Sequence, residues 1–295
     1  MTMPRMGAAC AGMAMIALAA AGLHGDGSAR PRLAALTFSA AGGIVLLTNG
    51  QVVAFDAATG AIGRRLFQVP LTHQALEAVA WENRGAPLLC LPVYRRGGNT
   101  RESWLLQRAA EQEIWTWLPS RGLYVGVGVD AARGVAYVAN ATTYEVFAVD
   151  LDRPGAEPRY VASIRGASQL GAAAFDPVGR ELFVADADLP RVYGLGVDTG
   201  VVREAASLDG AELRALAVDV TGRRLLMADA GHEAVWTLSL AAAGRVTRFS
   251  AITHLKDPTG IAVDPGGRVW VADAGTSCVF RLRADGTAAD ITTRW

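Results

Sequence analysis

Short apolar alternations run along this chain and are cut at regular intervals by glycine, proline and aspartate; the clearest case is Pro258 to Gly286. Gly260 to Val263 alternates small and apolar residues and stops at Asp264-Pro265-Gly266-Gly267, a turn in which proline presets φ and the glycines accept positive φ. Arg268 to Ala272 alternates again, Asp273 to Thr276 breaks it, and Cys278 to Leu282 begins a third alternation that Ala284-Asp285-Gly286 closes. A period of two between turn residues predicts strands, so this stretch predicts two consecutive hairpins.

The same order of elements recurs upstream from Val125, from Leu170 and from Leu213, with weaker copies from Leu33 and Leu76. The residues that end the first strands, Ser39, Glu82, Asp130, Asp176, Asp219 and Asp264, recur about every 45 residues, a period typical of propellers. A fourth strand is predicted between copies, at Arg64–Val69, Glu113–Leu118, Arg159–Ile164, Val202–Ser207, Arg245–Ile252 and Thr287–Arg294. The expectation is an all-β, six-bladed β-propeller of four-stranded antiparallel blades. It forms one domain over residues 30–295, with blades starting near 33, 76, 125, 170, 213 and 258. The last blade owns its fourth strand, so closure by an N-terminal strand is not required, although residues 24–32 could pair there.

The first strands also predict how blades stack. One and three positions before each strand-ending residue the side chains are mostly large, as in Phe175, Val218/Leu216 and Val263/Ile261; two and four positions before, they are small, as in Gly128/Gly126, Ala174/Ala172 and Ala262/Gly260. Strand side chains alternate faces, so each blade offers a large face and a small face, and one should sit on the other.

Charge and leader change the picture only in part. The 28 basic and 28 acidic residues balance and the arginines are scattered, which leaves no basic stripe for nucleic acid. Met1 to Arg5 is a short basic leader, and Met6 to Gly22 is an uncharged apolar run followed by small residues. This reads as a signal peptide over 1–21, cleaved between 21 and 29, which makes the product periplasmic or secreted, a monomer free of the membrane; an uncleaved anchor is the alternative. Cys90 and Cys278 fall on blades that are not neighbours and are expected as two buried free thiols. The most basic turn, Tyr94 to Arg101, reads as a solvated loop, with an acidic partner as the alternative.

GIAVDPGGRVWVADAG and GAAAFDPVGRELFVADAD resemble NHL repeats of bacterial six-bladed propellers, and GVAYVANATTYEVFAVD resembles the YVTN type. That resemblance implies the fold and leaves the function open, since the architecture hosts binding modules, lactonases and lyases alike. LEAVAWE, Leu76 to Glu82, is similar to the metal-binding first strand of gluconolactonase-like propellers, which implies Glu77 as a ligand at the mouth of the central channel. A hard cation needs several oxygens. The corresponding slots of the other blades hold Ala34, Val125, Gly171, Arg214 and Thr259, so no metal and no other cofactor is expected. Glu77 and Arg214 are expected to project into the mouth from opposite blades, unpaired and open to a small polar ligand, with Thr259 beside them.

Propeller lyases of the peptide-amidating kind resemble this fold and bind zinc through histidines, and zinc wants three converging ligands. His73 and His254 are expected just before the first strands of blades two and six, near the mouth, and His232, after a second strand, at the opposite end of its blade. Asp186, Asp229 and Asp273, with Asn49 and Asn140, repeat at the end of second strands and are expected to cap the following turn. No residue is nominated as catalytic. The leading functional expectation is an exported, noncatalytic NHL-type binding module for a protein, peptide or glycan. The alternatives are a metal-dependent lactonase or lyase using Glu77 with His73 or His254, and a structural module of an envelope assembly.

Overall fold

The computed structural model describes residues 33–39, 42–47, 51–56, 59, 61–69, 73–75, 79–83, 86–95, 103–109, 112–119, 122–153, 155–241, 244–249, 254–283 and 288–294. The leader, residues 24–32, Asn49, Glu77 and the tip of the basic turn lie outside them, as do the side chains of His73 and Cys90. Cys278 is a buried free thiol.

Six antiparallel sheets follow one another along the chain, and each takes its strands in sequence order. Blade 1 comprises Leu33–Ser39, Gly42–Leu47, Gln51–Phe55 and Ile62–Gln68. Blade 3 comprises Tyr124–Asp130, Val135–Asn140, Glu145–Asp150 and Arg159–Ser163. Blade 4 comprises Leu170–Asp176, Glu181–Asp186, Arg191–Gly196 and Val202–Ser207. Blade 5 comprises Leu213–Asp219, Arg224–Asp229, Ala234–Ser239 and Val246–Arg248. Blade 6 comprises Pro258–Val263, Val269–Asp273, Cys278–Leu282 and Ala288–Arg294. The predicted fourth strands are all found, that of blade 5 shorter than expected.

Blade 2 departs from its siblings. Its first strand is split into His73–Ala75 and Val79–Asn83, both paired to a long second strand, Ala86–Arg95, which is followed by Ser103–Ala109 and Gln112–Trp117. His73 therefore lies in the strand, opposite Arg95, rather than just before it. The second strand runs long enough to pair both pieces, an extension that the repeat pattern from Leu76 does not include.

First strands are innermost. Each packs on the first strand of the next blade, and that of blade 6 returns to that of blade 1, so among the described residues the ring closes through packing, with no strand shared between blades 6 and 1. The large-on-small rule holds around the described ring. Leu216 of blade 5 packs with Ala172 and Ala174 of blade 4, Ile261 of blade 6 with Ala215 and Ala217 of blade 5, and Leu36 of blade 1 with Ala262 of blade 6. On the small face, the second strand supplies the bulk: Tyr137, Phe183, Leu226 and Trp270 stand directly opposite Gly128, Ala174, Ala217 and Ala262.

Between blades 3 and 4 the fit leaves no room for a methyl group. A Cβ on Gly128 would lie 2.6 Å from Leu182 Cδ1 and 3.1 Å from the backbone nitrogen of Phe175. Gly128→Ala should therefore lower the unfolding free energy by about 1–3 kcal/mol, the usual cost of overpacking, measured by urea denaturation. Ala162→Gly, in the outer strand of the same blade, provides a contrast: it should destabilise through chain entropy and lost contacts without pushing the two blades apart.

We define the bottom face as the one where first strands end. There Asp130, Asp176, Asp219 and Asp264 are buried and accept backbone amides of the turn that follows, as in Asp176 with Val178 and Gly179 at 3.1 and 3.0 Å. Two of them are also clasped by the next blade: Arg223 of blade 5 grips Asp176 of blade 4 at 2.8 and 3.0 Å, and Arg180 of blade 4 reaches Asp130 of blade 3. Both arginines hold left-handed backbone, φ 47° and 54°, where blades 3 and 6 use Gly134 and Gly267. In blades 5 and 6, Asp219 and Asp264 instead take the Nε of their own Arg224 and Arg268.

The clasp predicts acid sensitivity. Burial on its own would raise the Asp176 pKa, but the Arg223 guanidinium and the two amides outweigh it and hold the carboxyl below its ordinary value; at Asp264 burial is likewise outweighed by Trp270 and Arg268. A depressed folded-state pKa contributes stability that is fully present above the unfolded value of about 3.9 and is lost as pH falls through the folded one. Unfolding free energy should fall between pH 5 and more acid solution with a smaller slope in Arg223→Gln than in the parent, read from urea titrations along a pH series.

Candidate functional site at the top of the channel

The top face, where first strands begin, also receives the turns between second and third strands, because antiparallel pairing brings the chain back: Leu213 pairs with Asp229 and Pro258 with Asp273. His232 follows Asp229, so it lies on the same face as His254 and the start of blade 6. The expectation that it sat at the opposite end is corrected by this return of the second strand.

Each described first strand is bulged near its start. Leu33 pairs with Leu47 and Ala35 with Leu46, Tyr124 with Asn140 and Gly126 with Ala139, Leu213 with Asp229 and Ala215 with Ala228, Pro258 with Asp273 and Gly260 with Ala272. The extra residues are Ala34, Val125, Arg214 and Thr259, and in blade 4 the shift falls across Gly171 and Ala172. These are the channel-mouth slots expected from the sequence. A bulge inserts one residue without a partner and redirects the strand, a device found beside functional sites. In blade 2, Ala75 pairs with Val93 and Val79 with Cys90.

Of the candidate residues, Arg214 is half-exposed and engages Glu212 from the same strand approach, Nη2 to Oε2 at 2.9 Å. It was expected unpaired; Glu212, two residues away, lies within its reach. The hydroxyl of Thr259 donates to the carbonyl of Ala272 at 3.5 Å, and His254 is exposed ahead of blade 6. Among the described residues no three His, Cys, Asp or Glu side chains are grouped so as to hold a metal ion.

The repeated acidic residues do more than cap a turn. Asp186 accepts the amides of Asp188 and Leu189 in the turn that follows, at 3.1 and 3.0 Å, and those of Ser168 and Gln169 in the loop from blade 3, at 2.8 and 3.2 Å. Asp273 joins Thr276 to Lys256 and Asp257 in the same way, and Asp229 joins Gly231 and His232 to Glu212. One carboxylate thus serves two loops. Blade 3 has Asn140, whose single acceptor oxygen takes Thr142 and Thr143 of the turn, and there the Thr142 hydroxyl accepts the amide of Leu123 in the other loop.

The charged groups at the top of blade 5 were only partly visible beforehand. Besides Arg214 and Glu212, Glu233 follows His232 and bonds Lys256 of blade 6 at 3.0 and 3.3 Å. Blade 5 thus carries Glu212, Arg214, His232 and Glu233 where blade 4 carries Gln169, Gly171, Leu189 and Pro190. Aligning the repeats at their Asx residues was the available signal.

Comparison with known proteins agrees with this architecture. An NHL repeat model matches residues 255–282. A chain of a nidogen/laminin complex is similar at 14% identity and a TM-score of 0.66, over 82% of this chain and 89% of that one. A streptogramin B lyase is similar at 12% identity and 0.63, over 90% and 83%, and virginiamycin B lyase from Staphylococcus aureus at 11% and 0.62, over 90% and 85%. A chain of a mitotic checkpoint complex is similar at 14% and 0.57, over 82% and 86%. At these identities the likeness concerns the fold. A comparison with curated protein sequences found no match. The chain is a six-bladed β-propeller whose last blade carries an NHL repeat.

Proposed function

We propose that the chain is an exported binding module that recognises a protein, peptide or glycan through its top face. The observation that carries this reading is the contrast between two kinds of charge on that face. The repeated carboxylates Asp186, Asp229 and Asp273 are buried and consumed in holding loops, whereas the pairs Arg214–Glu212 and Lys256–Glu233 are solvent-exposed on adjoining blades. Exposed ion pairs contribute little to stability, so their partners can be exchanged for those of a ligand at small cost. Similar folds in a nidogen/laminin complex and a checkpoint complex support protein binding. The leader supports export to the periplasm or beyond, and balanced charge argues against nucleic acid.

The test is affinity capture from an envelope extract with the mature chain and with Arg214→Glu/Lys256→Glu. Retention of a ligand by the parent, lost in a variant that melts at the parent's temperature, is the expected result; identical retention by both would remove the top face from consideration. A lactonase or lyase reading, with a divalent metal held by Glu77 and either His73 or His254, is favoured by the two lyases of similar fold. Stoichiometric metal in purified protein, released by Glu77→Gln, would move that reading to first place.

A further inference from the structure

We propose that Asp229 and His232 form a proton-accepting dyad on the top face, in which His232 Nε2 takes a proton or a hydrogen bond from an O–H or N–H group of a ligand. The inference goes beyond the binding reading and does not depend on which partner that face holds.

Asp229 is fully buried, and its carboxylate is surrounded by donors. Oδ1 accepts the amides of Glu212, Gly231 and His232 at 2.8, 2.9 and 3.4 Å, while Oδ2 accepts Trp236 Nε1 at 2.8 Å and meets His232 Nδ1 at 2.6 Å. An ionised carboxylate can only accept, so Nδ1 carries the hydrogen and Nε2 of the neutral ring keeps its lone pair. The ring is further set by its edge-on contact with Trp236, centroids 5.7 Å apart. It remains 39% exposed, and its outer edge faces Gly210, where a Cβ would stand 3.5 Å from Nε2.

Blades 3, 4 and 6 serve as internal controls. Three residues beyond the Asx they carry Thr143, Leu189 and Thr276, and the turn forms in each. The fold therefore asks for no imidazole at this position. In blade 4 the carboxylate of Asp186 is occupied by four backbone amides, and Tyr193, the counterpart of Trp236, directs its hydroxyl to the carbonyl of Gly166 instead. Blade 5 thus replaces part of a purely structural hub with two ring N–H donors, one of them on a half-exposed imidazole. The charged groups around it are Glu212 with Arg214, and Glu233 with Lys256 from blade 6.

When the dyad acts, an O–H bond of the ligand breaks and an N–H bond forms at Nε2. The electron pair stays on the ligand oxygen, and the resulting imidazolium is held against the Asp229 carboxylate. Asp229 is the positioning residue: it fixes the tautomer that leaves Nε2 open to accept, and it faces the charge that the ring then carries.

The experiment uses the full folded chain and diethyl pyrocarbonate. Nε2 attacks a carbonyl carbon, the C–O bond to the ethyl carbonate leaving group breaks, and ethanol and carbon dioxide are released. Site-resolved mass spectrometry at pH 8 should show His232 acylated at least about fivefold faster than exposed His254, with Asp229→Asn reducing that advantage to about twofold or less. If that variant does not fold, nitrogen NMR of the parent decides: hydrogen on Nδ1 and an unprotonated Nε2 are expected. Equal acylation of the two histidines, or a ring with its hydrogen on Nε2, overturns the proposal.

Discussion

Trp270→Ala should lower the unfolding free energy by about 4–5 kcal/mol, the upper end for removing a large buried aromatic. Trp270 is fully buried at the seam where the ring closes. It packs edge-on against Phe55 of blade 1, centroids 5.3 Å apart, in a cluster with Leu36 and Val53 of blade 1 and Ala262 and Val279 of blade 6. Among the described residues no strand is shared between the two blades, so this packing carries the closure. The indole also donates to Asp264 Oδ2 at 3.0 Å. Trp270→Phe separates the two roles: it keeps most of the packing and leaves Asp264 with Arg268, so the loss should be about 1–2 kcal/mol. Guanidinium denaturation followed by circular dichroism measures both. A Trp270→Ala protein that unfolds within about 1 kcal/mol of the parent would mean the seam is not close-packed.

Asp186→Ala should cost about 3–4 kcal/mol, because four amides in two loops lose their acceptor at once and a buried unsatisfied donor costs about 1–3 kcal/mol. The amides are not independent, and water can reach some of them once the side chain is gone, so the penalties do not add in full. Asp186→Asn retains Oδ1, which takes Asp188, Leu189 and Gln169, but loses the Oδ2 that accepts Ser168, and should cost about 1–2 kcal/mol. Blade 3 makes the same point in the native chain, where Asn140 needs the Thr142 hydroxyl to hold the second loop. The same denaturation series reports these variants, and hydrogen exchange at Ser168 and Gln169 shows which loop has been released. Equal stability of the Ala and Asn variants would refute the two-loop role.

The strand starts that carry the candidate residues were legible in advance, and the limits have physical causes. The slots near the start of each first strand could be placed by counting back from the strand-ending residues, since the repeat keeps the same spacing. That count does not reveal that the slot is the extra residue of a bulge: a bulge changes the pairing register between two strands, while period-two alternation within one strand carries little trace of it. The position of His232 was misjudged for a related reason. Its place after the second strand suggested the far end, but that strand runs antiparallel to the first and brings it back beside the first strand's start. The pairings of Arg214 with Glu212 and of Lys256 with Glu233 depend on side-chain reach across a loop and a blade boundary, for which no repeated spacing exists.

The sequence by itself determined the blade: alternation set the strands, Asp-Pro-Gly and Asx turns set the hairpins, and small against large first-strand residues set which faces meet. These are short-range properties, repeated until six copies left little choice of architecture. Only the tertiary structure decided how Asp130 and Asp176 are clasped by arginines from the next blade, how one carboxylate holds two loops, and that blade 5 turns its hub toward an exposed histidine. Each of these joins residues that the ring brings together from separate turns or blades, and their partners are chosen by distance and direction in the folded chain.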